Sequence, residues 1–408
     1  FESWQAAGWQ SIAEAVKADI AAGATMASAP LPAWVFDGRT GVHGPAGSWS
    51  AADQTDKARS TLAVYGRQLY PEQVLGEAPA DPGVTLWEND GVRLWHLPAQ
   101  DARIGILSFK SKMHAIGDEV LDGVLEAVAR AERDLDGLVI WHEAPFAVGA
   151  NLAQVAEACK AGQFDMLEKT VAKFQRASMA LKHAMVPTVA AVQGMALGGG
   201  CEFLMHASHR VLALESYVGL VEAGVGLIPA GGGCKEFALR AAELASRAAG
   251  GDVYPFIQNM FNTVAMATIS KSAVQAVELG FAKPSDDIVF NPRELLHVAL
   301  HRARALAEAG YQPPLVRKDV TVAGRNGIAT CEMMLINMQA GGFISEWDYR
   351  VARAAATALC GGEVETNAKV SEQWILDVER ALFLDLLKSE KTQQRIVHML
   401  ETGKPLRN

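Results

Sequence analysis

Two glutamates, Glu202 and Glu222, stand inside glycine-rich and otherwise apolar segments of this 408-residue sequence, QGMALGGGCEF (193–203) and YVGLVEAGVGLIPAGGG (217–233). A third glycine-bearing segment, FAVGANL (146–152), follows shortly after the apolar run DGLVIW. Glycine lets backbone come close to a ligand. GGGCEF follows the strand-like PTVAAV and opens a helical pattern, so the Gly199 N–H is an orphan donor at the positive end of a helix dipole. A developing oxyanion would be stabilised there. Glu202, three residues on, lies about one turn away on the same side, close enough to act on a group held by that donor. A carboxylate in such apolar surroundings needs a partner or a proton. Taken singly, each segment also reads as a tight turn packed on a sheet, and a first-turn glutamate as ordinary dipole chemistry. The combination favours chemistry.

Other motifs fail on their own terms. GVGLIPAG (224–231) has Pro229 at the last glycine of a dinucleotide fingerprint, and the run from Gly226 has Gly232 where a phosphate loop needs lysine. His297 and His301 share a helix face, but Val298 replaces the glutamate of HExxH, so both read as helix-surface residues, as do His206 and His209. No metal site is expected, and neither GxSxG nor a nucleophilic cysteine context occurs.

The segments need elements to hold them. Residues 1 to about 28 carry helical periodicity, and Ser28–Gly91, rich in Pro, Gly, Asp and Trp, reads as a linker or cap. From Gly91 the pattern changes to short strands (VRLWHL, ARIGILSF), an amphipathic helix (GDEVLDGVLEAVARAERD) and a continuously apolar strand (DGLVIW). The alternation continues through LEKTVAKFQRASMALKHA, PTVAAVQG, HRVLALE and CKEFALRAAELASRAA. That rhythm predicts an α/β fold with a parallel sheet buried on both faces. Beyond about residue 255 helical patterns dominate.

Composition narrows the partners. The net charge is −9, half the residues are hydrophobic, and no Lys/Arg run occurs, which argues against nucleic-acid or anionic-membrane surfaces. The apolar stretch Met185–Met205 is broken by Pro187, four glycines and Glu202, so it reads as a buried strand and helix. Five cysteines with no CxxC predict neither disulfides nor zinc, and a cytoplasmic location. The chain opens on Phe1 with an amphipathic segment lacking a signal-type core, which reads as a piece of a longer protein.

In order, IGILSF, KMHAIGDEVL, FAVGANL, PTVAAVQGMALGGGCE and YVGLVEAGVGLIPAGGG resemble the pattern of the crotonase, or enoyl-CoA hydratase/isomerase, superfamily. The resemblance runs from about Gly91 to the C-terminus and is strongest over Ala102–Gly233. VGLVEAGVGLIPAGGG and the tail EKTQQRIVHMLETGKPLRN are further similar to the hydratase half of fusions with 3-hydroxyacyl-CoA dehydrogenase, and FESWQAAGW to the closing helix of such a dehydrogenase. The resemblance implies a ClpP/crotonase-like ββα spiral core over 93–312, a helical region over 313–408, and a dehydrogenase remnant plus linker over 1–92.

It also implies roles. The N–H groups of Ala150 and Gly199 would form an oxyanion hole for a thioester oxygen, and Glu202 and Glu222 would be the acid–base pair. Coenzyme A would lie along His114–Ile116, including Ala115, and along Val148–Leu152, including Asn151, with Lys110 or Lys112 at a phosphate. Asn151 and His114 depart from a common Asp and Asn, which should matter little if those positions act through backbone atoms. The implied reaction is reversible hydration of 2-enoyl-CoA in β-oxidation, with Δ3,Δ2 isomerisation as a second activity. Glu202 would take the proton from water and Glu222 would deliver one to C2. The thioester is then substrate, no cofactor is held, and NAD belongs to the dehydrogenase region outside this chain. A homo-oligomer and that dehydrogenase domain are the expected partners. The competing reading is a non-catalytic acyl-CoA-binding or assembly module.

Overall fold

A computed structural model describes residues 1–44, 47–58, 60–71, 81–248 and 250–408. The chain divides into two compact units, Phe1–Pro82 and Gly83–Asn408. The break falls ahead of residue 92 because Val84–Glu88, which the sequence pattern did not mark, is a strand paired with Val92–Leu97. The helical C-terminal segment belongs to the same unit as the sheet.

In the first unit the helix Glu2–Ala21 is interrupted at Gly8 and buries Trp9 and Ala13 against Val35 and Val42. The Trp9 indole donates to the Val35 carbonyl at 2.9 Å. Short strands at 43–44, 47–50 and 55–57 form a small sheet in the stretch read as a linker. Most of GEAPADPGV, the later part of that stretch, lies outside the described residues.

Among the described residues, the main sheet of the second unit has seven strands: β1 (Val84–Glu88), β2 (Val92–Leu97), β3 (Asp101–Phe109), β4 (Gly137–Ile140), β5 (Thr188–Leu197), β6 (His209–Gly219) and β7 (Asp287–Val289). Their order across the sheet follows their order in the chain. β1, β2 and β3 pair antiparallel, and β3 through β7 pair parallel. Among the described residues, twelve α-helices accompany them: α1 (Asp118–Asp134), α2 (Leu152–Lys160), α3 (Phe164–His183), α4 (Gly199–His206), α5 (Gly233–Arg247), α6 (Tyr254–Ala265), α7 (Ala273–Glu278), α8 (Leu295–Glu308), α9 (Gly324–Ala340), α10 (Glu346–Leu359), α11 (Glu372–Leu387) and α12 (Glu390–Thr402).

The central strands are continuously apolar because both faces are covered. Leu107, Leu138, Ile140, Ala190 and Val192 join the main core with Val124 and Val128 of α1. The alternate residues Ile106, Val139 and Val189 are equally buried on the other face, under α8: a methyl on Gly137 would lie 3.4 Å from the Cβ of Ala303.

β5 does double duty. Its first half pairs with β4, its register against β6 shifts between Val192 and Gly194, and its second half receives the segment 146–147. There Ala147 donates to Met195 at 3.0 Å and Leu197 donates back to Ala147 at 2.9 Å. One bent strand thus brings the FAVGANL and GGGCEF segments side by side.

Candidate active site

α4 begins two residues after β5 ends and is buried along its whole length. Such a junction needs a backbone that ordinary residues avoid. Gly198 supplies it with φ 51° and ψ −122°, and a methyl there would press within 3.2 Å of Glu222 Oε1. Gly200 allows the close approach: a methyl on it would lie 2.7 Å from both the Cβ and the carbonyl oxygen of Ala147. Opposite, Ile116 donates to Gly149 at 2.8 Å and Asn151 donates to Ile116 at 3.1 Å, which fixes Ala150 between them. The N–H groups of Ala150 and Gly199 have no hydrogen-bond partner among the described residues, and both residues line one cavity of about 920 Å³.

Glu202 and Glu222 line the same cavity. Glu202 Oε1 accepts from the N–H groups of Gly231 and Gly233, each at 2.8 Å, at the start of α5. Burial pushes its carboxyl up to about 7, against the pull of those two donors and of Lys235. Glu222 begins the single turn Glu222–Val225 after β6, and its Oε2 is shut off from solvent with no partner among the described residues. Burial, and then the neighbouring Glu202 charge, raise the Glu222 carboxyl well above the usual range. Two neighbouring buried carboxyls do not readily ionise together, so the donor-held Glu202 gives up its proton first.

Of the other anticipated residues, Ile116, Val148, Asn151 and Leu152 line the cavity, whereas Ala115 and Lys110 do not. Lys110 Nζ instead donates to the Asn89 carbonyl at 2.7 Å and pairs with Glu88 at 3.1 Å. The side chains of Asn151 and His114, the two departures from the family's pattern, make hydrogen bonds within the fold. Asn151 caps α2 by accepting from Gln154 N at 3.3 Å, and His114 Nδ1 donates to the Pro145 carbonyl at 2.6 Å.

His142 lies against His114, ring centroids 3.9 Å apart, and its Nε2 donates to the Phe146 carbonyl. Two imidazoles therefore hold the strand leading to Ala150. Burial, and secondarily His114, depress His142 from 6.5 to about 3. The unfolded chain binds that proton below about pH 6.5 and the folded one does not, so this stability is complete above that pH and is lost as pH falls toward 3. Denaturation midpoints should accordingly drop between pH 7 and 4 by an amount corresponding to about 1–3 kcal/mol more than in His142→Gln. An equal drop in both proteins would refute it.

The rest of the cavity wall escaped the sequence reading. Met166, Thr170, Val171 and Phe174 of α3 line it together with Phe383 and Met399 from α11 and α12. The α3 residues have the spacing of an ordinary buried helix face, so nothing in the sequence separates cavity wall from core. The C-terminal helices also hold the Glu222 turn: Thr392 Oγ1 donates to the Gly226 carbonyl at 2.8 Å and accepts from the Trp347 indole at 3.2 Å.

Residues 101–247 match the model of the enoyl-CoA hydratase/isomerase family. Over those residues the chain carries the pattern of the crotonase superfamily. It is 33% identical over 417 residues to a Bacillus subtilis protein described as a probable 3-hydroxyacyl-CoA dehydrogenase, covering all of this chain and 49% of that one. It is 29% identical over 295 residues to the fatty acid oxidation complex subunit alpha of Idiomarina loihiensis, covering 70% of this chain and 37% of the relative. The chain thus spans half or less of the length of these relatives. The crystal structure of enoyl-CoA hydratase from Bacillus halodurans shares the fold, with a TM-score of 0.50 at 15% identity over 75% of this chain and 98% of that one. Among the described residues no helix is long and apolar enough to cross a membrane, and no cluster of His, Cys, Asp or Glu could hold a metal ion.

Proposed function

We propose that this chain hydrates 2-enoyl-CoA thioesters to 3-hydroxyacyl-CoA. The observation that carries the reading is the pairing of two unlike carboxyls, Glu202 gripped by two N–H donors and Glu222 with a bare buried oxygen, beside the N–H groups of Ala150 and Gly199. When water adds at C3 of a conjugated thioester, charge moves to the carbonyl oxygen. Two fixed donors at Ala150 and Gly199 match that charge, each worth about 3 kcal/mol in the transition state. Ionised Glu202 takes the proton from water and protonated Glu222 delivers its own to C2, so no net proton is needed.

The apolar wall formed by Met166, Val171, Phe174, Phe383 and Met399 suits the acyl chain. Ile116, Val148 and Leu152 stand where the thioester arm would pass. With its unbonded oxygen in an apolar site, Glu222 can also carry a proton between C4 and C2, which gives Δ3,Δ2 isomerisation as a second activity. A purely binding or assembly module leaves an unpartnered buried carboxyl without purpose. The likeness to longer fatty-acid oxidation proteins supports a parent that also dehydrogenates 3-hydroxyacyl-CoA, with Phe1–Pro82 as the end of that part.

The test is turnover of crotonyl-CoA by the 408-residue chain, followed by loss of the enoyl-thioester absorbance; no turnover rejects the reading. A pH series adds a second prediction. kcat/KM should fall as pH drops through about 7, where Glu202 takes up its proton, and fall again at higher pH as Glu222, whose carboxyl is held well above its usual range, loses its own. A flat profile contradicts the division of labour.

A further inference from the structure

α11 contributes a third buried carboxyl to the same helix end. Glu379, fully buried, accepts at Oε1 from the Lys235 N–H in the first turn of α5, the helix whose start holds Glu202 through Gly231 and Gly233. α11 packs onto this turn, Leu376 lying 3.5 Å from where a methyl on Gly232 would sit. From the other side Gln175 of α3 donates to the Ala230 carbonyl at 2.9 Å and to Leu376 at 2.8 Å, and is itself held by Arg380 at 2.6 Å. The turn 229–233 is thus clamped between α3 and α11.

We infer that Glu379 is a positioning residue of this active site, a neutral carboxylic acid that anchors the start of α5 so that Gly231 and Gly233 keep their grip on Glu202. The inference rests on the hydratase reading above. Glu379 Oε2 is buried with no partner among the described residues, and a bare ionised oxygen there would carry a desolvation cost that a protonated one avoids. Burial, and then the charge of Glu202, hold the Glu379 carboxyl well above the usual range.

The groups around it are consistent with one negative charge at this helix end. Glu202 and Glu222 face the cavity, and His206 of α4 meets Lys235 Nζ at 2.9 Å. The Lys235 ammonium is turned to Glu236 and to Glu372, the latter at 3.4 Å, and Lys182 of α3 is bound to the same two at 2.6 and 2.9 Å. Arg380 points to Asp377 and Gln175. Among the described residues Lys235, Lys182 and Arg380 thus make their ion pairs with other carboxylates, and none of them pairs directly with Glu379.

Two variants test this, with wild type alongside. Glu379→Gln copies the neutral acid and keeps the acceptor, so kcat should stay within about twofold and the acidic limb of the pH profile should not move. Glu379→Met keeps volume and removes the acceptor. Its kcat should fall about tenfold or more with KM little changed, and its acidic limb should move to higher pH as Glu202 loses its donors. A folded Glu379→Met protein with wild-type kcat and limb overturns the inference, and so does Glu379→Gln with a displaced limb. Should Glu379→Met not fold, the Glu379→Gln limb decides alone. Absence of wild-type turnover would instead reject the hydratase reading itself.

Discussion

Glu202→Gln and Glu222→Gln should each lower kcat for crotonyl-CoA hydration by about two to four orders of magnitude while changing KM by no more than a few-fold. The reasons differ. A glutamine at 202 keeps an oxygen to accept from Gly231 and Gly233, so the turn survives, but it cannot take a proton from water. At 222 an amide fills the same space with no acid to give to carbon. Because Glu222 has no hydrogen bond at Oε2 to lose, its replacement should cost little stability. The double variant should be scarcely slower than the worse single one, since the two groups act in one step. Equilibrium binding of a CoA ester, measured by calorimetry, should be nearly unchanged. Near-normal rates in either single variant would sink the two-glutamate scheme.

Gly200→Ala should be almost as damaging without touching any acid or base. The added methyl would lie 2.7 Å from the Ala147 carbonyl oxygen, in the interior, where backbone on both sides must move. Ala147 is tied to β5 through Met195 and Leu197, and three residues later the chain presents Ala150. Driving this strand away from α4 widens the gap between the N–H groups of Ala150 and Gly199. A displacement of the order of 1 Å is worth about a hundredfold in rate, and loss of one such donor about as much or more. The expected result is a folded protein, with a melting temperature lowered by a few degrees, whose kcat falls about a hundredfold. Wild-type kcat in a folded Gly200→Ala protein would contradict the oxyanion role of this junction.

Much of this arrangement could be read from the residues. The runs GLVI (137–140) and VAAV (189–192) are apolar at every position because both faces of a parallel sheet are covered, and GGGCEF announces a strand-to-helix junction with a carboxylate one turn in. Other parts were silent for physical reasons. β1 is a mostly exposed edge strand and β7 has three residues, too short for periodicity to register. Glu379 sits in WILDVERALFL, where a charged residue on an amphipathic helix normally meets water; here it is buried and bonded to the Lys235 N–H at the start of α5. Likewise Thr392 and Trp347 hold the Glu222 turn across more than a hundred residues of chain, and no local pattern carries that information. Lys110 illustrates the converse, a cation whose type suited an anionic ligand but whose nearest partners are Glu88 and Asn89.

Hydration differs from isomerisation and from mere binding in the origin of one oxygen atom. Incubating the 408-residue chain with crotonyl-CoA in ¹⁸O-labelled water and analysing the thioester by mass spectrometry reads this directly. The account predicts 3-hydroxybutyryl-CoA carrying one solvent oxygen at C3, formed by wild type and scarcely at all by Glu202→Gln or Glu222→Gln. Recovery of unlabelled, unconverted crotonyl-CoA from the wild-type protein would contradict it.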